Sequence, residues 1–252
     1  MKVYDNKLKY VELLMKYDDL SNYKKYELPE GFHYEFYKPG DEEDWVNIHI
    51  ESGEFTSIEK GLKYFHDFYD SFIDELPRRC VFIVDNETGE KVGTATISLL
   101  DEPEHGYNGA VDWVAIKKKY QGKHLAKPLI TKFMEIANNV GHNKIILHTQ
   151  TNSWLAAKLY LDYGFEILNK EEKLGWSILN TLIHHPKLSE YDILSTDEIL
   201  DSKNVQIEQQ LIEMYGTEDF NYSVWYKNGL HNVYTYVNGV PFEYEYFIEN
   251  GI

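Results

Sequence analysis

Apolar residues recur at helical spacing in several stretches of the chain, and they cluster or alternate in shorter runs between those stretches. A period near 3.6 residues predicts helices at residues 2–17, 42–50, 57–73, 125–137 and 153–162. The shorter runs predict strands at residues 32–37, 80–84, 91–99, 109–116, 144–149 and 165–168.

The order of these elements predicts a mixed sheet. Strand–helix–strand units between residues 109 and 168 favour parallel pairing, because a crossover helix returns the chain to the same edge of the sheet. A turn at residues 86–89 favours an antiparallel hairpin instead. The expected fold class is therefore α/β, with an α+β mixed sheet and helices packed on it.

The pattern changes after residue 175. A helix is predicted at residues 197–214, followed by tyrosine-rich runs at 222–226, 233–237 and 242–247. The pairs Asn228-Gly229 and Asn238-Gly239 separate these runs, and Asn-Gly between β-prone segments is a strong hairpin signal. We expect a three-stranded meander that packs on its own helix, on the main domain or on a second subunit. The predicted division is an N-terminal helix at 1–27, a main domain at 28–175 and an extension at 176–252.

Composition narrows the class of protein. With 252 residues, 43% hydrophobic and 27% charged, the chain suits one large domain or one domain with an appendage. No apolar run approaches the length of a membrane span, and the first 17 residues carry mixed charge, unlike a secretory signal. The single cysteine, Cys80, excludes an internal disulfide. We expect a cytoplasmic protein with no membrane partner.

The charge of the chain limits the classes of partner that it is expected to bind. The net charge of −17 disfavours nucleic acid, whose phosphates require Lys and Arg. Acidic excess can attract cationic substrates, although it more commonly serves solubility. Residues 114–132 nevertheless carry six lysines and no acid. This lysine island predicts a small anionic ligand, and the alternative is an ordinary solvated helix face.

The stretch from Val114 to Lys127 predicts a phosphate site. A strand runs into a short loop that opens a helix, where unpaired N–H groups and the helix dipole favour anions. Lys123 and Lys127 add charge, while Gly122 and Ala126 are small enough for a phosphate to approach the backbone. These residues indicate a binder of a phosphorylated cofactor.

The same residues resemble a known family. Gln121-x-x-His124-x-Ala126 before a helix is similar to the pyrophosphate loop of the GNAT N-acetyltransferases, whose pattern is Gln/Arg-x-x-Gly-x-Gly/Ala. The stretch 147–165, with Asn152, a helix containing Leu-Tyr160 and a closing Gly-Phe, looks like that family's later motif. The resemblance covers about residues 30–170 and implies a GNAT-like acyl-CoA N-acyltransferase fold.

One position departs from the family pattern. His124 stands where the family usually has its first glycine, and a positive φ there would strain a side chain. Two outcomes are open. Either His124 adopts a helical conformation and still donates its N–H to phosphate, or the loop is distorted and cofactor binding weakens.

The resemblance implies how the cosubstrate acetyl-CoA is held, with no metal. Strands at 111–116 and 145–149 splay apart around it, and the backbone of Val114 and Ile116 holds the pantetheine arm. Asn152 fixes the arm from the other side. The pyrophosphate is held by the backbone amides of Gln121, Gly122, Lys123, His124, Leu125, Ala126 and Lys127.

The implied reaction is direct attack on the thioester by a primary amine of a small molecule or peptide. A backbone N–H near Val114 stabilises the oxyanion. Tyr160 is the acid that protonates the leaving thiolate; the alternative is a tyrosine packed on the sheet. Asp112 is the candidate base; the alternative is an exposed strand aspartate. Other candidate bases are Glu51, Glu54, His148 and His49.

Three aromatic residues, Trp45, Phe55 and Phe65, are expected in the core or against the acceptor, and Cys80 is expected as a small core residue. A competing hypothesis is a non-catalytic acyl-CoA-binding sensor or interaction module. A third places a partner-binding or homodimer surface on the tyrosine-rich meander.

Overall fold

The structure is a computed structural model that describes residues 5–55, 57–217, 220–227, 230–237 and 240–248. Its strands are β1 (Glu12–Tyr17), β2 (Phe32–Phe36), β3 (Cys80–Asp85), β4 (Lys91–Glu104), β5 (Tyr107–Ile116), β6 (Ile145–Gln150), β7 (Glu166–Ile167), β8 (Phe220–Lys227), β9 (Leu230–Val237) and β10 (Val240–Ile248). Its α-helices are α1 (Glu42–Ser52), α2 (Ile58–Tyr69), α3 (Leu76–Arg79), α4 (Ala126–Asn139), α5 (Trp154–Tyr163), α6 (Lys173–Ile183), α7 (Thr196–Ile199) and α8 (Ser202–Tyr215).

The main sheet is mixed, as predicted. Within the described residues it has seven strands in the order β2-β3-β4-β5-β6-β1-β7. β5 and β6 run parallel, and the other neighbouring strands run antiparallel. The crossover between β5 and β6 contains α4, which explains why the period changes from strand to helix at this point of the sequence.

Hydrophobic cores lie on both faces of this sheet, and β3 shows why. Its residues alternate, so that Val81 and Ile83 belong to the core that includes residues of α4, α5 and α6, whereas Cys80, Phe82 and Val84 belong to the core that includes residues of α1 and α2. Every one of these side chains is at most 4% exposed. A strand covered on both faces reads as a continuous apolar run rather than an alternating one.

The predicted helix at residues 2–17 is wrong within the described residues. Glu12–Tyr17 forms β1, which lies between β6 and β7 and pairs antiparallel with both. Leu13, Leu14 and Met15 are all buried, so side chains on both faces of this strand are covered. Such a run has no period of two, so spacing alone cannot separate it from a helix.

Helix α6 was not predicted, and the proposed boundary at 175/176 falls inside it. Trp176 and Leu179 are fully buried in the same core as the main sheet. The predicted helix at 197–214 is instead two helices, α7 and α8, separated at Leu200 and Asp201. The Asp201 carboxylate accepts the N–H groups of Lys203 and Asn204, and so caps the start of α8.

The predicted meander is confirmed: β8, β9 and β10 form an antiparallel sheet in the order β10-β9-β8, while both Asn-Gly pairs lie outside the described residues. It packs on its own helix, since Ile207 and Leu211 of α8 contact Tyr222 and Val233. The Tyr222 hydroxyl also donates to Glu208 at 3.0 Å. In the described part of the chain, no helix is long and apolar enough to cross a membrane.

Candidate active site

Strands β5 and β6 separate along their length. In the described residues they pair at Ala110 with Ile146 and at Val111 with Leu147, and the pairing goes no further. From Asp112 to Ile116 the edge of β5 that faces β6 is therefore open. An open strand edge presents backbone donors and acceptors to an extended ligand.

A β-bulge sits on β5 at the same point. Thr94 pairs with Ala115 and Thr96 with Asp112, so two residues of β5 oppose one residue of β4. One of those two, Trp113, has φ of +52°. A left-handed backbone at a bulky residue costs roughly 1–2 kcal/mol, and strain of this kind is concentrated at functional sites.

The loop after β5 leads into α4 at the predicted phosphate site, and we call it the anion-binding turn after that prediction. Leu129 N donates to Leu125 O at 3.0 Å as the first hydrogen bond of α4, and Pro128 has no N–H. The N–H groups of Ala126 and Lys127 therefore lack partners within the helix. Lys123 Nζ lies 4.5 Å from the Tyr120 ring centre, and Lys127 Nζ lies 5.2 Å from that of Tyr26. These contacts keep both ammonium groups near the helix start.

His124 takes the left-handed conformation that glycine tolerates. Its φ is +62°, close to the +80° of Gly122, and its side chain is exposed. Histidine is one of the residues found more often than most at positive φ, although it still pays a steric cost there. Helix α4 nevertheless begins two residues later, so the start of the helix forms with histidine in place of glycine.

A cavity of about 1060 Å³ lies where β5 and β6 separate. One side of the cavity is formed by β4, β5 and β6. A second side is formed by the segment from the end of α1 through α2, and the third side is formed by α5. Its lining includes both predicted catalytic residues, Asp112 and Tyr160, together with Val114. The fold therefore brings these three predicted residues to one space.

Residues 43–165 match the sequence profile described as "Acetyltransferase (GNAT) family". These residues form a GNAT acetyltransferase domain. The segment contains the anion-binding turn, the separating strands and Tyr160, which the resemblance had singled out.

Two relatives illustrate the match. GCN5-related N-acetyltransferase 4, chloroplastic, of Arabidopsis thaliana is 38% identical over 63 residues, which are 25% of this chain and 22% of that protein. The crystal structure of a GCN5-related N-acetyltransferase from Sphaerobacter thermophilus superposes with a TM-score of 0.51 at 19% identity. That match covers 66% of this chain and 50% of the other, and it establishes the GNAT fold. The chain thus spans about a fifth and half, respectively, of these two proteins.

Tyr160 lies in the GNAT domain on α5 and faces the cavity with 7% of its surface exposed. Burial raises the pKa of its hydroxyl, and the nearby charge of Glu54 raises it further. The hydroxyl therefore stays protonated throughout the neutral range. A protonated phenol at the cavity wall can donate a proton.

Asp112 lies on β5 just before the bulge. Burial raises the pKa of its carboxyl, while a hydrogen bond from the Ser98 hydroxyl and the nearby His148 lower it. The net direction is upward, towards the range in which a carboxylate can exchange a proton near neutral pH. Ser98 was missed by the sequence reasoning, because nothing in the strand pattern shows which residue of β4 lies opposite Asp112.

His148 lines the cavity and is held between two carboxylates. Nδ1 lies 2.9 Å from Glu12 and Nε2 lies 3.2 Å from Glu104. Burial disfavours its charged form, but these two partners outweigh that effect and raise the pKa of His148. Glu12 comes from β1, so the segment predicted as a separate helix supplies part of the site.

His49 and Glu54 form a second polar pair. His49 is fully buried, and its Nδ1 lies 2.6 Å from Glu54 Oε2. Its Nε2 has no hydrogen-bond partner among the described residues. Glu54 lines the cavity with a side chain that is 31% exposed. The pair therefore places one carboxylate, that of Glu54, among the aromatic side chains that line the cavity.

The remaining candidates have structural contacts. Glu51 pairs with the buried Lys117 at 3.1 Å, and Lys117 also pairs with Glu90 at 2.7 Å. Glu90 also pairs with Lys119. Burial by itself raises the pKa of Glu90, but the contacts with these two lysines outweigh burial and lower the pKa to about 2. The lysine island therefore has two parts. Lys117 and Lys119 connect the loop to the β3–β4 hairpin, whereas Lys123 and Lys127 lie at the start of α4.

Asn152 precedes α5 and is 5% exposed. Its backbone oxygen accepts from Asp5 N at 2.8 Å, while its Oδ1 has no hydrogen-bond partner among the described residues. The neighbouring Ser153 lines the cavity. The predicted contact between Asn152 and the pantetheine arm stays a prediction.

The predicted core residues are largely confirmed. Trp45, Phe65 and Cys80 are fully buried, and burial raises the pKa of the Cys80 thiol to about 11, which makes it a poor nucleophile. Phe55 is 7% exposed and lines the cavity. Across the described ranges, no group of three His, Cys, Asp or Glu side chains is placed to hold a metal ion.

Proposed function

We propose that this protein is an acetyl-CoA-dependent N-acetyltransferase that acts on a primary amine of a small molecule or peptide. The observation that carries the proposal is the course of β5. Its open edge begins in the cavity beside Asp112 and ends at Ile116, where the anion-binding turn follows. A ligand lying along this edge reaches both the cavity and the helix start.

The chain's residues fit acetyl-CoA, a long thioester with a pyrophosphate near one end. The edge of β5 at Val114 and Ile116, which pairs with no residue of β6, suits the amide-containing arm, because such an arm can bond like an added strand. The free N–H groups of Ala126 and Lys127 and the Lys123 ammonium suit the pyrophosphate. Acetyl-CoA supplies the activated acetyl group.

The cavity residues supply proton transfer and charge stabilisation. Asp112 accepts a proton from the substrate ammonium, leaving a neutral nucleophilic amine. The N–H of Val114, next to the bulge, is available to the oxygen on which negative charge develops. As the carbon–nitrogen bond forms and the carbon–sulfur bond breaks, Tyr160 gives its proton to the leaving thiolate, and the second proton that the amine nitrogen loses restores the Tyr160 hydroxyl.

The experiment has two stages. Thermal unfolding is measured with millimolar acetyl-CoA and, as the control, with adenosine. A ligand at about 100 times its Kd adds roughly 2.7 kcal/mol of stability, which raises Tm by several degrees in a chain of this size. Release of free CoA is then measured with a panel of primary amines.

The outcomes separate the hypotheses. A Tm increase with acetyl-CoA together with amine-dependent CoA release supports the enzyme. A Tm increase without release from any amine supports a non-catalytic acyl-CoA-binding module. No increase at all contradicts the assignment of the anion-binding turn.

A further inference from the structure

Aromatic side chains cover one side of the cavity and contact each other. We call Phe55, Tyr64, Phe68 and Trp113 the aromatic wall. Trp113 lies 5.4 Å from Phe55, 6.4 Å from Tyr64 and 6.1 Å from Phe68 between ring centres. Phe55 and Tyr64 stack at 5.4 Å. All four line the cavity, so they form one apolar surface that faces it.

The outer part of the aromatic wall is open to solvent. Tyr64 is 55% exposed and Phe68 is 40% exposed, and they lie four residues apart on the same face of α2. Leu99, which is 38% exposed, lines the same cavity from β4. Clustered apolar exposure around a concave site is typical of a surface that binds an apolar ligand.

Trp113 takes its place in the aromatic wall through a strained backbone conformation. Its φ of +52° lies at the β-bulge, where the extra residue changes the direction of side chains along β5. The bulge brings the indole against rings from α1 and α2. A strained backbone that positions a large ring in a cavity wall indicates that the ring has a role in binding.

The carboxylates of the cavity lining indicate where an ammonium group binds. The same lining also contains two basic side chains, Lys60 and His148, of which His148 is already held by Glu12 and Glu104. Glu54 adjoins Phe55 in the chain, and the buried His49 holds its carboxylate by the 2.6 Å contact. Asp112 lies deeper, on β5. The third carboxylate, Asp67, is already paired with Lys63 on the surface of α2. Negative charge and apolar surface are therefore adjacent within the cavity.

This inference rests on the proposed function. We infer that the acceptor is a monoamine that carries an aromatic or bulky apolar group. Its ring packs against the aromatic wall, and its ammonium group lies near Glu54 and Asp112. A linear polyamine or an amino sugar would leave the exposed rings of Tyr64 and Phe68 without an apolar partner.

The test compares the acetylation of matched amines by the 252-residue chain. CoA release is measured with 2-phenylethylamine, ethylamine, 1,4-diaminobutane and D-glucosamine at saturating acetyl-CoA. Burial of a phenyl group on an apolar wall predicts a kcat/KM for 2-phenylethylamine about 10-fold or more above that of ethylamine. We expect 1,4-diaminobutane and D-glucosamine to fall near or below ethylamine.

Two variants locate the preference. Tyr64→Ala and Phe68→Ala truncate exposed side chains, so we expect both proteins to fold. Each should lower kcat/KM for 2-phenylethylamine about five-fold or more and leave that for ethylamine within about two-fold. The matched control is Phe36→Ala, which removes an aromatic ring of 37% exposure on β2, outside the cavity. It should change neither value.

Failure of this inference is distinguishable from failure of the proposed function. If 1,4-diaminobutane or D-glucosamine is acetylated as well as or better than 2-phenylethylamine, the acceptor class is wrong and the enzyme assignment stands. If no amine releases CoA, calorimetric titration with 2-phenylethylamine decides. Binding that weakens in Tyr64→Ala keeps the aromatic-amine site without the enzyme, and absence of binding overturns it.

Discussion

The side-chain amide of Gln121 donates a hydrogen bond to the backbone oxygen of Ile116, with Nε2 3.0 Å from that oxygen. This contact ties the anion-binding turn to the last residue of β5. The family resemblance had assigned Gln121 through its backbone amide. The structure adds a contact for its side chain, which sets the distance between the open strand edge and the start of α4.

Loss of the tether should weaken cosubstrate binding. We expect Gln121→Ala to raise the Kd for acetyl-CoA up to about 10-fold, because one hydrogen bond of about 0.5–1.5 kcal/mol no longer orders the turn. Isothermal titration calorimetry measures the change. Gln209→Ala, the same substitution on the exposed surface of α8, is the control and should leave Kd unchanged. An unchanged Kd in Gln121→Ala would show that the turn is ordered by other contacts.

Removal of the Tyr160 hydroxyl should slow the chemical step. We expect Tyr160→Phe to lower kcat by about 10²-fold, the usual contribution of a general acid, with little change in the Kd for acetyl-CoA. Because the pKa of Tyr160 is raised above its ordinary value of 10, its ionisation should not reduce the kcat of the unsubstituted protein below pH 10. Steady-state rates from pH 6 to 10 test both expectations.

The control for this experiment lies on the same helix. The Tyr163 hydroxyl donates to the backbone oxygen of Lys24, away from the cavity lining. Tyr163→Phe should therefore lower Tm while leaving kcat nearly unchanged. Equal losses of kcat in the two variants would assign Tyr160 to packing rather than proton donation.

Asp112 should show opposite effects on activity and stability. Its folded pKa is raised, so the folded state holds its proton more tightly than the unfolded chain does. The stability that this proton provides is present below the unfolded value near 3.9 and is lost as pH rises through the folded pKa. At pH 7.5 we expect Asp112→Asn to raise Tm by about 2–4 °C, or ~1 kcal/mol, and to lower kcat/KM at least ~10-fold.

Ser98→Ala provides the matched comparison. The Ser98 hydroxyl lowers the pKa of Asp112, so its removal should shift the acidic limb of the kcat/KM profile to higher pH. Asp112→Asn should abolish that limb. If neither variant alters the limb, the base is another group.

His148 should stabilise the fold more at acidic pH than at basic pH. Its folded pKa is raised above 6.5, so its contribution is fully present below the unfolded pKa and is lost as pH rises through the folded value. The difference in Tm between the unsubstituted protein and His148→Gln should be about 1–3 °C larger at pH 5.5 than at pH 9. Differential scanning calorimetry at both values measures it.

His142 offers a control of opposite sign. Burial and the nearby Arg79 lower the pKa of His142, so its contribution is present above its unfolded pKa and declines as pH falls. Relative to the unsubstituted protein at the same pH, His142→Gln should therefore be more stable at pH 5.5 than at pH 9. The same pH trend in both variants would contradict the assigned contacts of His148.

Local patterns in the sequence were enough to predict most elements and the anion-binding turn. The turn is a local feature, because a strand, a glycine and the first turn of α4 follow one another within about a dozen residues. Tyr160 was found through a contiguous family motif. The meander was found because Asn-Gly turns are encoded by adjacent residues.

Tertiary structure decided what depends on distant segments. β1 was mistaken for a helix because a strand buried on both faces lacks the alternation of apolar and polar residues. Its position between β6 and β7 depends on residues more than 100 positions away in the chain. The contacts of Asp112 with Ser98 and of His148 with Glu12 arise from strand register. The aromatic wall arises from the bulge at Trp113, which no periodicity predicts. The sequence by itself therefore determined most of the element types and the turn, and long-range pairing determined which side chains share the cavity.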